Sequence, residues 1–452
     1  MANHIKIIAF CFLLSFTSCN SYLDIKPDKS QVVPESAEDL WALLNNTTKM
    51  NIYYPSFGEI SCDNYYLDEN TWNVLTDLDA RNAYIWDDQI FLDSDNNEWS
   101  YGYVTIFTAN VVLETLEKNK EQISRPDHDR LKGTALFFRS YAYFQLAQIY
   151  MEPYESASAQ KKLGLPLRLD PDLNKKSVRS TMLETYSQIM EDVKMAVDLL
   201  PEKTDVKTLP SKSAAIGLFS KIYLIMGDYS KAEQMADDCL KSTESKIIDF
   251  NMVNSSLSSP FKRFNEEVIF HSSMLSKTVL RSPRHKVDSI LIKSYAENDL
   301  RKKIYFKSEA TGGYSFKGGY DGSSSLFNGI AVDEMLLIKS ECQIRQDKLK
   351  QGLQTLNLFL ANRIDKNDFH PLELDDRKNL LLIVLDHRRK ELILRGTRWS
   401  DLRRLNRESG LQNIIKRKLG EKVYELLPNS PMYTLPIPRR VIERTGMEQN
   451  LR

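Results

Sequence analysis

The chain has 452 residues, with 61 Lys and Arg against 61 Asp and Glu, so its formal charge is zero. That balance argues against nucleic acid or an anionic membrane surface as the main partner. Apolar residues at 42% support a sizeable core, and only 17 Gly and 16 Pro favour long helices over a turn-rich β fold.

At the N-terminus Lys6 supplies a weak positive charge, and the stretch to Phe16 is apolar apart from Ser15. This run is shorter than the roughly 20 residues that cross a bilayer and has the length of a signal-peptide core. Phe16-Thr17-Ser18-Cys19 places small residues directly before a Cys, as in a lipobox, with Phe16 where Leu is usual. Residues 1–18 therefore read as a signal peptide. Cys19 reads as the lipidated new N-terminus, heading a polar lead over 19–34. Cys62, Cys239 and Cys342 are too few and too scattered for a disulfide framework. The last two fall in helical patterns, as buried small hydrophobes do.

Residues 35–452 read as one domain in three parts. In 35–240, Glu35 to Leu44 forms a first helix with Leu40, Trp41 and Leu44 along one side. From Asn51 to Glu98 the period is lost in an aromatic, acidic and Asn-rich stretch. A loop of that length is functional or hides short elements. Helices return at Tyr101–Leu116, Asp127–Tyr150 and Met182–Leu200, the last stopped by Pro201. Ser213 to Leu240 follows the tetratricopeptide pattern: Phe219, Ser220 and Tyr223, then Gly227-Asp228-Tyr229, then Ala232 and Ala236. Its small residues let two antiparallel helices approach. Residues 241–330 read as a mixed insertion, with a short strand in Phe264–Phe270, and with Thr311–Tyr314 and Gly318–Ser323 as turns of a small β-hairpin or a mobile loop. In 331–452 a weaker tetratricopeptide unit covers Asp333–Arg363, turning near Gln346-Asp347. The expected fold is mainly α: a tetratricopeptide-like helix-pair scaffold with long loops and a small mixed α/β insertion.

Signatures of catalysis are missing. None of His4, His128, His271, His285, His370 and His387 pair at metal-ligand spacing, and no H-E-x-x-H, C-x-x-C, G-x-S-x-G or phosphate-cradling Gly loop occurs. Asp93, Asp95 and Asn97 hint at a calcium loop, but the central Gly is absent and Val104 stands in the twelfth place. No enzyme activity, cofactor or metal is expected.

Several ordered blocks resemble the SusD/RagB family of lipoproteins from Bacteroidetes. Cys19-Asn20-Ser21-Tyr22-Leu23-Asp24 is similar to its lipid-Cys and Tyr-Leu-Asp lead, and Arg139-Ser140-Tyr141-Ala142-Tyr143-Phe144 to its Arg-Ala-Tyr helix. Glu334–Cys342 matches its late tetratricopeptide segment, and Leu435-Pro436-Ile437-Pro438 its closing segment. The most specific block is Arg388-Arg389-Lys390-Glu391-Leu392 followed by Gly396-Thr397-Arg398-Trp399-Ser400-Asp401-Leu402-Arg403-Arg404, with Arg395 where the family usually has Glu. In that block Arg388 and Glu391, and likewise Arg398 and Asp401, lie three apart. They are expected to form same-face salt bridges that lock Trp399 and the last helix to the scaffold.

The resemblance implies a lipid-anchored, cell-surface protein of the outer membrane that binds rather than catalyses. It would capture an oligosaccharide, or a peptide, for a SusC-like TonB-dependent transporter. The competing reading is a tetratricopeptide scaffold that binds another polypeptide and no small ligand. Sugar binding needs flat aromatic faces beside amides and charges. The early stretch offers Trp86, Trp99, Trp72, Tyr65, Tyr66, Arg81 and Asn96 as first-choice ligand contacts, and the insertion offers Tyr295, Tyr314 and Tyr320 as second choice.

Overall fold

Capped helix starts set the frame of the structure, a computed structural model that describes residues 34–92 and 97–452. Cys19, expected from the sequence to carry lipid, and the candidate contact Asn96 lie outside the described residues. Ser36 and Asp39 close a capping box on α1 (Ala37–Leu44). Asn97 caps α2 (Glu98–Lys118), and Ser124 caps α3 (Arg125–Tyr150). Thr181 and Glu184 form a second capping box on α4 (Met182–Leu199). From Leu131 to Tyr150, α3 is buried almost all round, because α2 packs on one side of it and α4 on the other.

The first tetratricopeptide unit is α5 (Lys212–Met226) and α6 (Tyr229–Ser242), joined at Gly227 with φ 78°. Only glycine takes that left-handed turn without strain. Ser220 Oγ donates to the Ala232 carbonyl at 3.0 Å, which is as close as the small residues allow. The second unit is α7 (Val332–Arg345) and α8 (Leu349–Leu360), where Ser340 Oγ donates to the Gly352 carbonyl at 2.8 Å. The two units are far apart in sequence, yet α6 packs on α7, so they stack as neighbours. Cys62, Cys239 and Cys342 are free and buried.

The aperiodic early stretch hides short helices at Phe57–Ser61, Glu69–Asn73 and Leu78–Tyr84 and a strand, β1 (Tyr65–Tyr66). β1 pairs antiparallel with β2 (Lys286–Val287) of the insertion. The expected hairpin is β3 (Phe306–Ser308) with β4 (Tyr314–Phe316). After α9 (Arg377–Glu391) and α10 (Arg398–Leu405), a last hairpin joins β5 (Ile415–Leu419) to β6 (Lys422–Leu426). No described helix is long and apolar enough to cross a membrane.

The charged signature is buried, as a structural role requires, but its partners differ from the expected i, i+3 pairs. Arg388 Nε donates to Asp401 at 2.9 Å. Glu391 accepts from Arg301 at 3.1 Å and from Arg363 at 2.9 Å, and Arg398 grips Asp63 through Nε and Nη2 at 2.6 and 2.8 Å. The reason is burial. Side chains aimed into the core meet charges from other elements, although Asp401 also pairs with Arg404 of its own helix at 2.9 Å. Trp399 is buried and packs on Tyr433, with ring centroids 4.7 Å apart. Arg395 pairs with the buried Asp333, which accounts for an arginine at that position.

Candidate functional site

The β1–β2 pairing brings the first-choice and second-choice regions together. Gly313 at the turn before β4 has φ 80°, and a Cβ there would come within 2.9 Å of Lys286 and 3.2 Å of the Tyr66 hydroxyl oxygen. Glycine thus lets the hairpin tip close onto β1. Tyr66 is 38% exposed and Tyr314 partly so, and both stand at this junction.

Beside it opens a cleft of about 470 Å³, lined by His285, Lys307, Phe316, Lys317 and a set of serines that includes Ser258 and Ser323. Phe316 is held in the wall by Tyr305, at a centroid distance of 6.0 Å. His285 is buried under the Tyr65 ring at 5.2 Å, and burial pushes its pKa down to about 4, so it lines the cleft as a neutral imidazole. Hydroxyl donors and acceptors, ammonium groups and an aromatic face are the groups that hold a polyhydroxylated ligand.

The remaining sequence candidates are placed otherwise. Trp86 and Trp99 are buried, contrary to the expectation of exposed stacking platforms. Trp86 Nε1 donates to the Ser61 carbonyl at 2.9 Å, and Trp99 packs edge-on against Tyr150 at 5.1 Å. Tyr65, Tyr295 and Tyr320 are also core residues. The Tyr295 hydroxyl donates to the Lys390 carbonyl and that of Tyr320 to Glu267. Trp72 and Arg81 meet each other instead, with the guanidinium 4.1 Å from the ring centroid. The physical reason is that an aperiodic stretch can still be core when partners far away in sequence cover it. The cleft residues His285, Lys307, Phe316 and Lys317 escaped the sequence reading, and only the runs of serine at 255–259 and 323–325 hinted at them.

Glu267, Asp333 and Glu391 bring three buried carboxylates close enough to share a metal ion. Arg363, Arg301 and Arg395 already engage them. Burial, with the charges of Glu267 and Glu391 beside it, pushes the Asp333 carboxyl up to about 7. This cluster is an ion-pair core rather than an open ligand set.

Comparison with known proteins agrees with this architecture. A SusD-like family model, described as starch-binding and associating with the outer membrane, matches residues 21–224. A SusD superfamily protein of Bacteroides thetaiotaomicron superposes with TM-score 0.74 at 19% identity, covering 92% of this chain and 100% of that one. The chain has a SusD-like fold. A SusD-like carbohydrate binding protein of Bacteroides vulgatus shares the fold at TM-score 0.66 and 17% identity, over 91% of this chain and 96% of its own. A SusD-like protein of Bacteroides ovatus is 24% identical over 250 residues, which are 53% of this chain and 41% of that one. The chain thus spans less than half the length of the curated relatives it matches.

Proposed function

We propose that this SusD-like chain is a cell-surface lipoprotein, anchored through Cys19, that captures an oligosaccharide and delivers it to a SusC-like TonB-dependent transporter of the outer membrane. The observation that carries the reading is the hydroxyl-lined cleft with Phe316 in its wall, next to the hairpin junction where Tyr66 and Tyr314 stand, set on the SusD-like fold. A family described as starch-binding supports a glycan over a peptide. A diacylglyceryl group on Cys19 would supply the tether, at about 0.8 kcal/mol per buried methylene.

The test is calorimetric titration of the chain with a panel of oligosaccharides and peptides. Binding of an oligosaccharide, weakened in Phe316→Ala, is expected. Binding of peptides alone would overturn the glycan assignment. Separately, Cys19→Ala is expected to release the protein from membranes in cells lacking the transporter, and continued membrane association would overturn the anchor.

A further inference from the structure

In a chain of zero net charge, the rim of this cleft is basic. Lys307 and Lys317 line it, and Arg281, Arg284 and Lys286 belong to the strand-and-turn segment that supplies its Ser282, Pro283 and His285 wall. Among the described residues only Lys307 of these five has a carboxylate in ion-pair range, Glu309 at 3.8 Å. Lys317 donates to the backbone carbonyls of Ser255 and Leu257, Lys286 to that of Thr311 and Arg281 to Ser276 Oγ. Of the nearby acids, Glu309 lines the cleft beside Lys307, and Asp321 is engaged outside it. Asp321 accepts from Ser273 and Ser323 and pairs with His271, and Glu309 also accepts from Ser315.

Ordinary solvated lysines would extend into water. Here Lys317 and Lys286 are partly buried and pinned by neutral oxygens, which orients the charge without cancelling it. A concave site with an uncancelled excess of one sign concentrates ligands of the other. Arginine forks, ammonium groups and serine hydroxyls are all donors to the oxygens of such a ligand.

We propose that the cleft takes an anionic glycan, one bearing sulfate ester or carboxylate groups, with Lys317, Lys307 and Arg284 contacting the anionic groups. This rests on the glycan-binding reading above.

The experiment titrates the full chain with matched pairs that differ only in charge. Dextran sulfate fragments against dextran of the same length test the sulfate ester. Oligogalacturonate against its methyl ester tests the carboxylate. In at least one pair the charged member is expected to bind roughly tenfold tighter than its neutral partner, with affinity falling as salt rises. The pair that responds identifies the group. The double variant Lys317→Ala/Arg284→Ala, melting like the parent, is expected to lose that preference, and Lys317→Arg to retain it.

Equal affinity within both pairs, or binding of neutral glycans only, overturns the charge inference and leaves the glycan reading intact. A preference that survives the double variant, or that Lys120→Glu in the turn after α2 reduces as much, reveals adsorption to cations in general and also overturns it. Failure of every glycan, charged or neutral, overturns the glycan reading itself.

Discussion

The guanidinium of Arg417 lies 3.8 Å from the centroid of the Tyr84 ring. Trp86 and Tyr65 complete a cage around it at 4.7 and 5.6 Å. Within the cage Arg417 donates to the backbone carbonyls of Tyr84, Ile60 and Cys62. This one side chain from β5 therefore organises the aperiodic early segment, and it explains why aromatic residues that resemble a sugar platform are core.

Arg417→Met is expected to destabilise the protein by on the order of 3 kcal/mol. It strands buried carbonyls and removes the cation from three ring faces. Urea unfolding followed by tryptophan fluorescence checks this, since Trp86 reports directly from the cage. A loss below about 1 kcal/mol would show that the cage does not hold the segment in place.

Asp63 ties the early segment to α10. Burial alone would raise its carboxyl, but the charges of Arg398 and Arg389 hold it well below the usual carboxylate range. A depressed folded-state pKa contributes stability that is present above the unfolded value of 3.8 and is lost as pH falls toward the folded one. Asp63→Asn is expected to cost about 3–5 kcal/mol at pH 7, because it leaves Arg398 buried without its counter-charge. The difference between variant and parent should hold from pH 7 down to about pH 4 and shrink only in melts taken below the unfolded value of 3.8.

Glu98 acts in the opposite direction. Its carboxylate caps the Phe57–Ser61 helix, accepting from the backbone N–H groups of Ser56 at 2.7 Å and Phe57 at 3.1 Å. Burial pushes its pKa up to about 7, against the pull of Lys277 and these donors. A raised folded-state pKa gives stability that is complete below the unfolded value of 4.5 and is lost as pH rises through about 7. Glu98→Gln should therefore lose less melting temperature than the parent between pH 5 and pH 8. Parallel pH profiles for the two proteins would show that Glu98 does not titrate in this window.

What was legible in the sequence follows from the range of the interactions. The helices read at Glu35–Leu44, Asp127–Tyr150 and Met182–Leu200, and the Gly227 turn with Ala232 across from Ser220, depend on residues a few positions apart, so their pattern survives in one dimension. The hairpin tip at Gly312 and Gly313 was visible for the same reason. Burial of Trp86 depends on Arg417, and the partner of Arg398 is Asp63, each contributed by a distant part of the chain. No local period encodes such contacts. The cleft is illegible on the same grounds, since its walls come from stretches of chain at 258–259, 280–285 and 323–326 gathered around the β3–β4 hairpin.

Substitution of the four aromatic candidates separates core from site. Trp86→Ala and Trp99→Ala remove buried rings and should each lower stability by about 3–5 kcal/mol, the usual cost of emptying a large core position. Tyr66→Ala and Tyr314→Ala remove rings that solvent already reaches, so their melting temperatures should stay near that of the parent. In titrations with an oligosaccharide that binds the parent, the tyrosine variants should lose roughly 1 kcal/mol each through the missing stacking face. The tryptophan variants, measured where they remain folded, should bind nearly as the parent does. The reverse pattern, full affinity without the tyrosines and lost affinity in a still-folded Trp99→Ala, would move the site to the apolar cleft that Trp99 lines with Tyr103 and Phe107.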